Sequence, residues 1–480
     1  MIRIYLDWNV ISNYKKEEFE YFKKFIIQNK SIFQIPFTPA HFNDLMKSYS
    51  PDNDHFHQDL ENLEYLADNH FFRWNNKKLE VLLGSPKDYF ESEKDNQDYL
   101  SQLDLDKIYD DLDEGCQDIG MGKMGSLLKS MFQTIPTGIE IKDENKEMLQ
   151  KMFPNLNNTS SMWDLMKDIM PFSQKILQDR DYFKEFKKDI ENQGFKIEEN
   201  AGNWNVADVI KNIDSFLQKY NPDLTFMEYV NVSFKNRQEP ANDYEVYTTA
   251  YLLLDMIGYK SDSLPKPTNN MQNITTDAEH SFYSAYCDYF VVMDKKLTVK
   301  TKVLFNEFNV STIVVTPEEF IGDVKHKIHT YTTQTPFLQE AIDFINPDNL
   351  VESYEKDGET KKDTYAFKLP VFYFDFFNYV IYQKYDEQNA FTLTFRRVFM
   401  NFSRFVYTTE IERLVDVICD FFGFEVNEDF NKKKSDFIEG KNEETPFIWN
   451  FDRGTIRLDM EMETWRPVLT YVVLLPQNTK

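Results

Sequence analysis

The feature that most constrains this chain is a short apolar run that ends in a carboxylate: Ile2-Arg3-Ile4-Tyr5-Leu6 leads directly into Asp7-Trp8-Asn9. The run is β-branched and aromatic, which suits a buried strand. In open α/β sheets ligands collect outside the carboxyl ends of the strands, so Asp7 is a candidate site residue. The plainer reading is that Asp7 caps a helix running from about Asn9 to Gln28.

The pattern then repeats. A second apolar strand is expected over Ser31 to Phe37, followed by Thr38-Pro39-Ala40-His41-Phe42-Asn43-Asp44. Thr38 suits a cap and Pro39 the first helical position, which puts His41 and Asp44 on one helical face. Far downstream, Thr275-Thr276-Asp277-Ala278-Glu279-His280 reads as a capped helix opening with Asp277, and Tyr289 to Met293 as a strand closing on Asp294.

This order of strand, acid, helix, strand, helical acid, and then a second pair of acids resembles a PIN-like nuclease domain. The resemblance covers roughly 1–75 and 240–330. It implies a small parallel sheet flanked by helices, with Asp7, Asp44, Asp277 and Asp294 as metal ligands in the hydrolysis of RNA or, less often, DNA. Asn9 falls on the small polar position that the family places two residues after its first acid. Cys287-Asp288-Tyr289-Phe290-Val291-Val292-Met293-Asp294 resembles the family's last motif, and Val310 to Phe320 its closing strand and helix start. The chain departs from the pattern in carrying Asp44 where Glu is commoner, Val292 where Thr or Ser is usual, and a very long segment between Asp44 and Asp277.

Such a ligand set has a clear chemical use. Close carboxylates repel one another by about 4 kcal/mol per pair at an effective dielectric near 20, unless cations intervene. Hard oxygen donors select Mg²⁺ or Mn²⁺, and such ions activate water and stabilise the leaving oxygen of a phosphodiester. His41 and His280 each share a helical face with one of the acids, which suits a supporting role beside the ligands. Lys295 and Lys296, with Lys300 and Lys302, are expected to steer a phosphate backbone. Asp288 is expected to cap or end its helix, and Asp255 is a candidate extra site carboxylate.

The formal charge of −26 excludes a nucleic-acid binder that relies on overall charge, so any RNA contact must be local. Cys116, Cys287 and Cys419 make neither a disulfide framework nor a zinc site, which suits a reducing cytoplasm. No signal peptide or membrane-spanning run is expected. The glycines from Gly115 to Gly125 do not make a phosphate loop, because Met124 follows Gly122-Lys123 and no strand precedes it.

The expected organisation is α/β: a PIN-like first half over 1–75, a helical insertion over 76–240, a second half over 241–330, and a separate α+β domain over 335–480. In the last, Thr408 to Phe422 is an amphipathic helix stopped by Gly423. Tyr365 to Tyr373, Phe391 to Phe395, Phe447 to Phe451, Ile456 to Met462 and Val468 to Leu475 are strands, and the charged stretch Asn431 to Glu444 is a solvated loop. That domain carries no chemical constellation and is assigned to binding a protein partner. The implied function is a metal-dependent ribonuclease of the kind found in bacterial toxin and phage-defence modules. The alternatives are a structure-specific DNA nuclease and a PIN-derived scaffold without catalysis.

Overall fold

The computed structural model describes the chain except for residues 51, 68, 76, 95–123, 138, 140, 142–145, 193–195, 198, 220, 236–238, 265–268, 330–336, 355–362, 386, 425–427, 441–445, 462 and 477–480. Cys116 and most of the glycine-rich segment therefore lie outside the described residues. The fold is mixed α/β, with a four-stranded parallel sheet flanked by helices and a separate seven-stranded antiparallel sheet. Two compact units are present: one made of 1–38, 50–72 and 282–480, the other of 39–49 and 73–281. The four-stranded and seven-stranded sheets both fall in the first unit.

The parallel sheet of the first unit is built from β1 (Ile2–Leu6), β2 (Phe33–Gln34), β5 (Tyr289–Val291) and β6 (Ile313–Val315); a hairpin of β3 (His70–Trp74) and β4 (Leu79–Leu83) lies between them in the chain. Its order is β2-β1-β5-β6. Leu6 stands opposite Val291, and Val291 opposite Val315. All five residues of β1 are buried, as the apolar run requires. Phe320, on the helix Pro317–Val324, meets Phe22, Phe25, Phe33 and Tyr289 at ring separations of 6.3, 6.1, 5.8 and 5.2 Å. Each such pair adds about 0.5–1.5 kcal/mol beyond its buried area, so this cluster holds two helices on the sheet.

Two expected elements are shorter than their patterns suggested. The strand expected over 31–37 is only Phe33–Gln34; Pro36 has no N–H to extend a ladder, and Phe37 instead makes an isolated parallel bridge to Phe71. The helix expected from Asn9 to Gln28 breaks into Trp8–Asn13, a 3₁₀ turn Glu17–Phe19 and a helix Glu20–Asn29. Its buried residues explain the break, since Val10, Ile11 and Tyr14 would lie about a quarter turn from Phe19, Phe22 and Ile26 on one continuous helix.

The antiparallel sheet has the order β11-β12-β13-β10-β9-β8-β7. Its strands are β7 (Leu350–Tyr354), β8 (Asp363–Tyr373), β9 (Phe377–Tyr385), β10 (Ala390–Arg396), β11 (Phe447–Phe451), β12 (Gly454–Glu461) and β13 (Arg466–Leu474). The helix Thr408–Phe422 buries Ile411, Leu414, Val415 and Ile418 and ends at Gly423 with φ of 80°. The stretch read as a loop from Asn431 is instead largely helix, Glu428–Glu439, because Phe430 and Phe437 give an otherwise charged segment one buried stripe.

Arg3 joins β1 to the helix Thr408–Phe422 and the loop before it. Its Nε and Nη2 donate to Glu410 at 3.0 and 2.6 Å, and Nη2 also donates to the Phe405 carbonyl at 2.8 Å. Burial opposes the Glu410 charge, but Arg3, with the N-terminal ammonium and Arg397, outweighs it and holds the carboxyl at about 2. Removing one member of such a buried pair costs about 3–5 kcal/mol. Asp288, expected to end its helix, instead accepts from the Arg3 amide at 2.8 Å and from Arg397 at 2.6 Å. Among the described residues no helix is long and apolar enough to cross a membrane.

The second unit is mostly helical. Asp255 is 1% exposed and is absorbed by structure: Lys187 donates to it at 2.9 Å and the Asp262 amide at 2.8 Å.

Candidate active site

In the first unit, two of the four candidate acids lie at one edge of the parallel sheet. Asp7 follows β1, and its amide donates to the Val291 carbonyl of β5 at 2.9 Å. It occupies the position before the helix Trp8–Asn13, yet its side chain makes no capping bond. Its Oδ2 accepts instead from Asn9 at 3.2 Å, and the residue is only 2% exposed. Burial without a capping bond separates Asp7 from an ordinary helix cap.

Asp294 lies beyond β5, after Val292 and Met293. It is exposed and caps the helix Lys295–Glu307, accepting from the amides of Lys296 and Leu297 at 2.7 and 2.8 Å. The capping alternative therefore fits Asp294 and not Asp7. Lys295 and Lys302 are exposed and Lys296 is half-buried, whereas Lys300 is 1% exposed. Lys300 is thus removed from the group expected to steer phosphate, because its helix turns it inward.

The second unit holds the other two acids on helices. The helix expected to open with Asp277 begins earlier, at Met271, so Asp277 is in its interior. The entry is set at Asn270, whose amide donates to the Asn273 side chain at 2.9 Å. Thr275 and Thr276 do not cap; they donate back to the carbonyls of Met271 and Gln272 at 3.3 and 2.9 Å. Asp277 itself is half-buried.

Asp44, on the helix Pro39–Met46, meets this longer helix through His280, whose Nε2 is 3.0 Å from Asp44 Oδ2. Lys47 donates to the other oxygen at 2.5 Å. Burial alone would raise the Asp44 pKa, but His280 and Lys47 outweigh it and hold the carboxyl below its usual range. His41 packs edge-on against His280 with ring centroids 4.9 Å apart, and neither histidine is exposed. The two histidines singled out from the sequence therefore meet each other, and His280 meets Asp44.

Sequence reasoning missed Glu279. Its Oε2 accepts from Asn43 at 3.1 Å and its Oε1 from the Tyr244 hydroxyl at 2.6 Å. Burial raises its pKa, with the Asp44 charge adding to the effect against the hydrogen bonds and His280. The only signal was its place beside His280, matching that of Asn43 beside Asp44.

All four acids are hard oxygen donors, the chemistry that Mg²⁺ and Mn²⁺ accept. Among the described residues, no group of three or more His, Cys, Asp or Glu side chains is placed to hold an ion. An ion that used the Asp44 oxygens would compete with His280 and Lys47. No family model, curated protein or solved structure matches the chain.

Proposed function

We propose that this chain is a divalent-metal-dependent, PIN-like ribonuclease in which Asp7, Asp44, Asp277 and Asp294 supply the ligands. One observation carries the reading: Asp7 and Asp294 follow β1 and β5, the neighbouring strands at which the sheet order reverses. That reversal is where open parallel sheets bind ligands. Bound Mg²⁺ or Mn²⁺ would supply an activated water and charge stabilisation at the scissile phosphate. Asn9 steadies the Asp7 carboxylate, and His280 orients Asp44. Lys295 and Lys296, at the start of the helix capped by Asp294, attract the backbone of the substrate. The C-terminal segment with the antiparallel sheet and the helical insertion over 76–240 serve access or partner recruitment in this scheme.

The scaffold alternative draws support from Asp294, whose capping bonds give it a structural role without any metal. Full-length protein incubated with end-labelled RNA and DNA, in Mg²⁺ or Mn²⁺ and in excess chelator, separates the readings. The ribonuclease reading expects metal-dependent cleavage of RNA. Preferential cleavage of branched DNA would favour the structure-specific DNA nuclease, and no cleavage of either would favour the scaffold.

A further inference from the structure

We propose that the first unit carries a nucleotide site, separate from Asp7 and Asp294, that takes a uracil ring bearing a 5′-phosphate. The site is a cavity of about 160 Å³ lined by residues between 288 and 401, all of that unit. Asp288 and Tyr289 stand at the amino end of β5 and Ile313 begins β6, whereas Asp7 and Asp294 follow the carboxyl ends of β1 and β5. The cavity is therefore on the opposite edge of the parallel sheet from those acids, and the inference does not depend on the nuclease reading. Main chain fixes its walls: the Phe372 amide donates to the Lys327 carbonyl at 2.8 Å, and the Ser311 amide to the Met400 carbonyl at 2.9 Å.

The lining specifies the ligand. An apolar cavity of about 150 Å³ holds one benzene ring, so this one suits a single six-membered ring rather than the fused rings of a purine. Phe372 and Phe399 give it aromatic walls, on which any base can stack. Two polar groups there have bonding capacity to spare. The Arg3 amide and Arg397 both donate to Oδ2 of Asp288, and Oδ1 has no partner among the described residues. The Tyr379 hydroxyl, on a residue only 9% exposed, donates to the Met400 sulfur at 3.3 Å, and a thioether is a weak acceptor. A hydrocarbon would leave both groups unsatisfied, and a simple anion would meet the Asp288 carboxylate. A uracil edge answers both, its N3–H donating to Asp288 and the adjacent carbonyl accepting from Tyr379. Lys368 also lines the cavity, is exposed and makes no ion pair among the described residues, so its ammonium is left for the phosphate. Lys327 is already engaged by Asp323 at 2.7 Å.

The experiment is isothermal titration calorimetry of uridine 5′-monophosphate, cytidine 5′-monophosphate and uridine into the full chain, with thermal melting of each variant. Uridine 5′-monophosphate should bind. The cytidine nucleotide, which sets an acceptor against Asp288 in place of the N3–H donor, should bind about 10-fold more weakly. Tyr379→Phe removes one hydroxyl and should weaken the uridine nucleotide and uridine alike, by about 3–10-fold. Lys368→Ala should weaken the nucleotide by about 2–5-fold and leave uridine unchanged. A 5′-phosphorylated oligouridine that binds as tightly as the mononucleotide assigns the site to the end of an RNA strand, and weaker binding assigns it to the free nucleotide; both support the site. No binding of mononucleotide or oligomer, equal binding of the cytidine nucleotide, or wild-type affinity in either variant would overturn the inference. If Tyr379→Phe does not fold, the contrast between nucleotide and uridine in Lys368→Ala decides it.

Discussion

The acids on strand ends and the acids on helices are held in different ways. Asp7 and Asp294 take their places from the backbone: the first from the register between β1 and β5, the second from the start of the helix that follows. Asp44 takes its place from side chains, His280 and Lys47, and the neighbouring Glu279 from Asn43 and Tyr244. A carboxylate positioned by main chain can lose its charge without disturbing the fold. One held by basic side chains, as Asp44 is by His280 and Lys47, cannot.

Ligation should give the greatest loss, and there the two kinds of acid should behave alike. Asp277→Asn should reduce metal-dependent RNA cleavage by well over about 100-fold, beyond the range of a supporting residue, and His280→Ala by only about 10–100-fold. Steady-state cleavage rates at saturating Mn²⁺ test both. Equal losses would remove the distinction between ligand and support.

Asp294 tests the strand-end pair next, because its cap and its charge can be separated. Asn caps a helix about as well as Asp, whereas Ala costs about 0.5–2 kcal/mol. Asp294→Asn should keep the melting temperature and lose cleavage, and Asp294→Ala should lose both. If Asp294→Asn cleaves like wild type, Asp294 is a cap only.

The metal-free protein should show the contrast most plainly. Asp7→Asn is expected to be neutral or stabilising in excess chelator, since it removes a buried charge that lacks a capping role. Asp44→Asn should cost about 1–3 kcal/mol by leaving His280 without its anionic partner. The sign with pH follows from the depressed Asp44 pKa. Its stabilisation is present above the unfolded value of 3.8 and is lost as pH falls through the folded value. Glu279 works in the opposite sense: with a raised pKa its contribution is full below 4.5 and is lost as pH rises through the folded value. Chemical denaturation between pH 3 and pH 7 should therefore show Asp44→Asn converging on wild type at the acid end. Divergence there would contradict the assignment.

These contrasts also mark what was legible in the chain. Helix Thr408–Phe422 with its Gly423 stop, strand β1 and the Pro317 helix start were readable because each is written in local chemistry: an apolar stripe, a β-branched run, a cap. The early start of the Asp277 helix was hidden because Thr275 and Thr276 look like caps but bond backward, while Asn270 marks the true entry. Helix Glu428–Glu439 was hidden because Phe430 and Phe437 were outweighed by the charges around them. Asp7, Asp44, His41 and His280 could each be picked out as residue types, and the His280–Asp44 pairing is new information from the fold. The bond from Asn43 to Glu279 joins residues far apart in sequence, and neither residue alone signals the other.

The smallest effect belongs to the residues proposed to meet substrate. Replacing Lys295 and Lys296 by Gln should weaken RNA binding modestly and flatten its salt dependence by about 0.7 for each phosphate of a single strand that is no longer neutralised. Binding measured across a range of salt concentrations checks this, and an unchanged slope would place the substrate path elsewhere.

On the proposed reading, carboxylates at the reversal point of the parallel sheet hold metal for phosphodiester hydrolysis. Its most direct test is cleavage of end-labelled RNA by wild type and Asp7→Asn side by side, in Mn²⁺ and in excess chelator, with folding of both confirmed by thermal melting. The expected result is cleavage by wild type in Mn²⁺ alone and none by the variant. Cleavage that persists in chelator, or that survives Asp7→Asn, would contradict it.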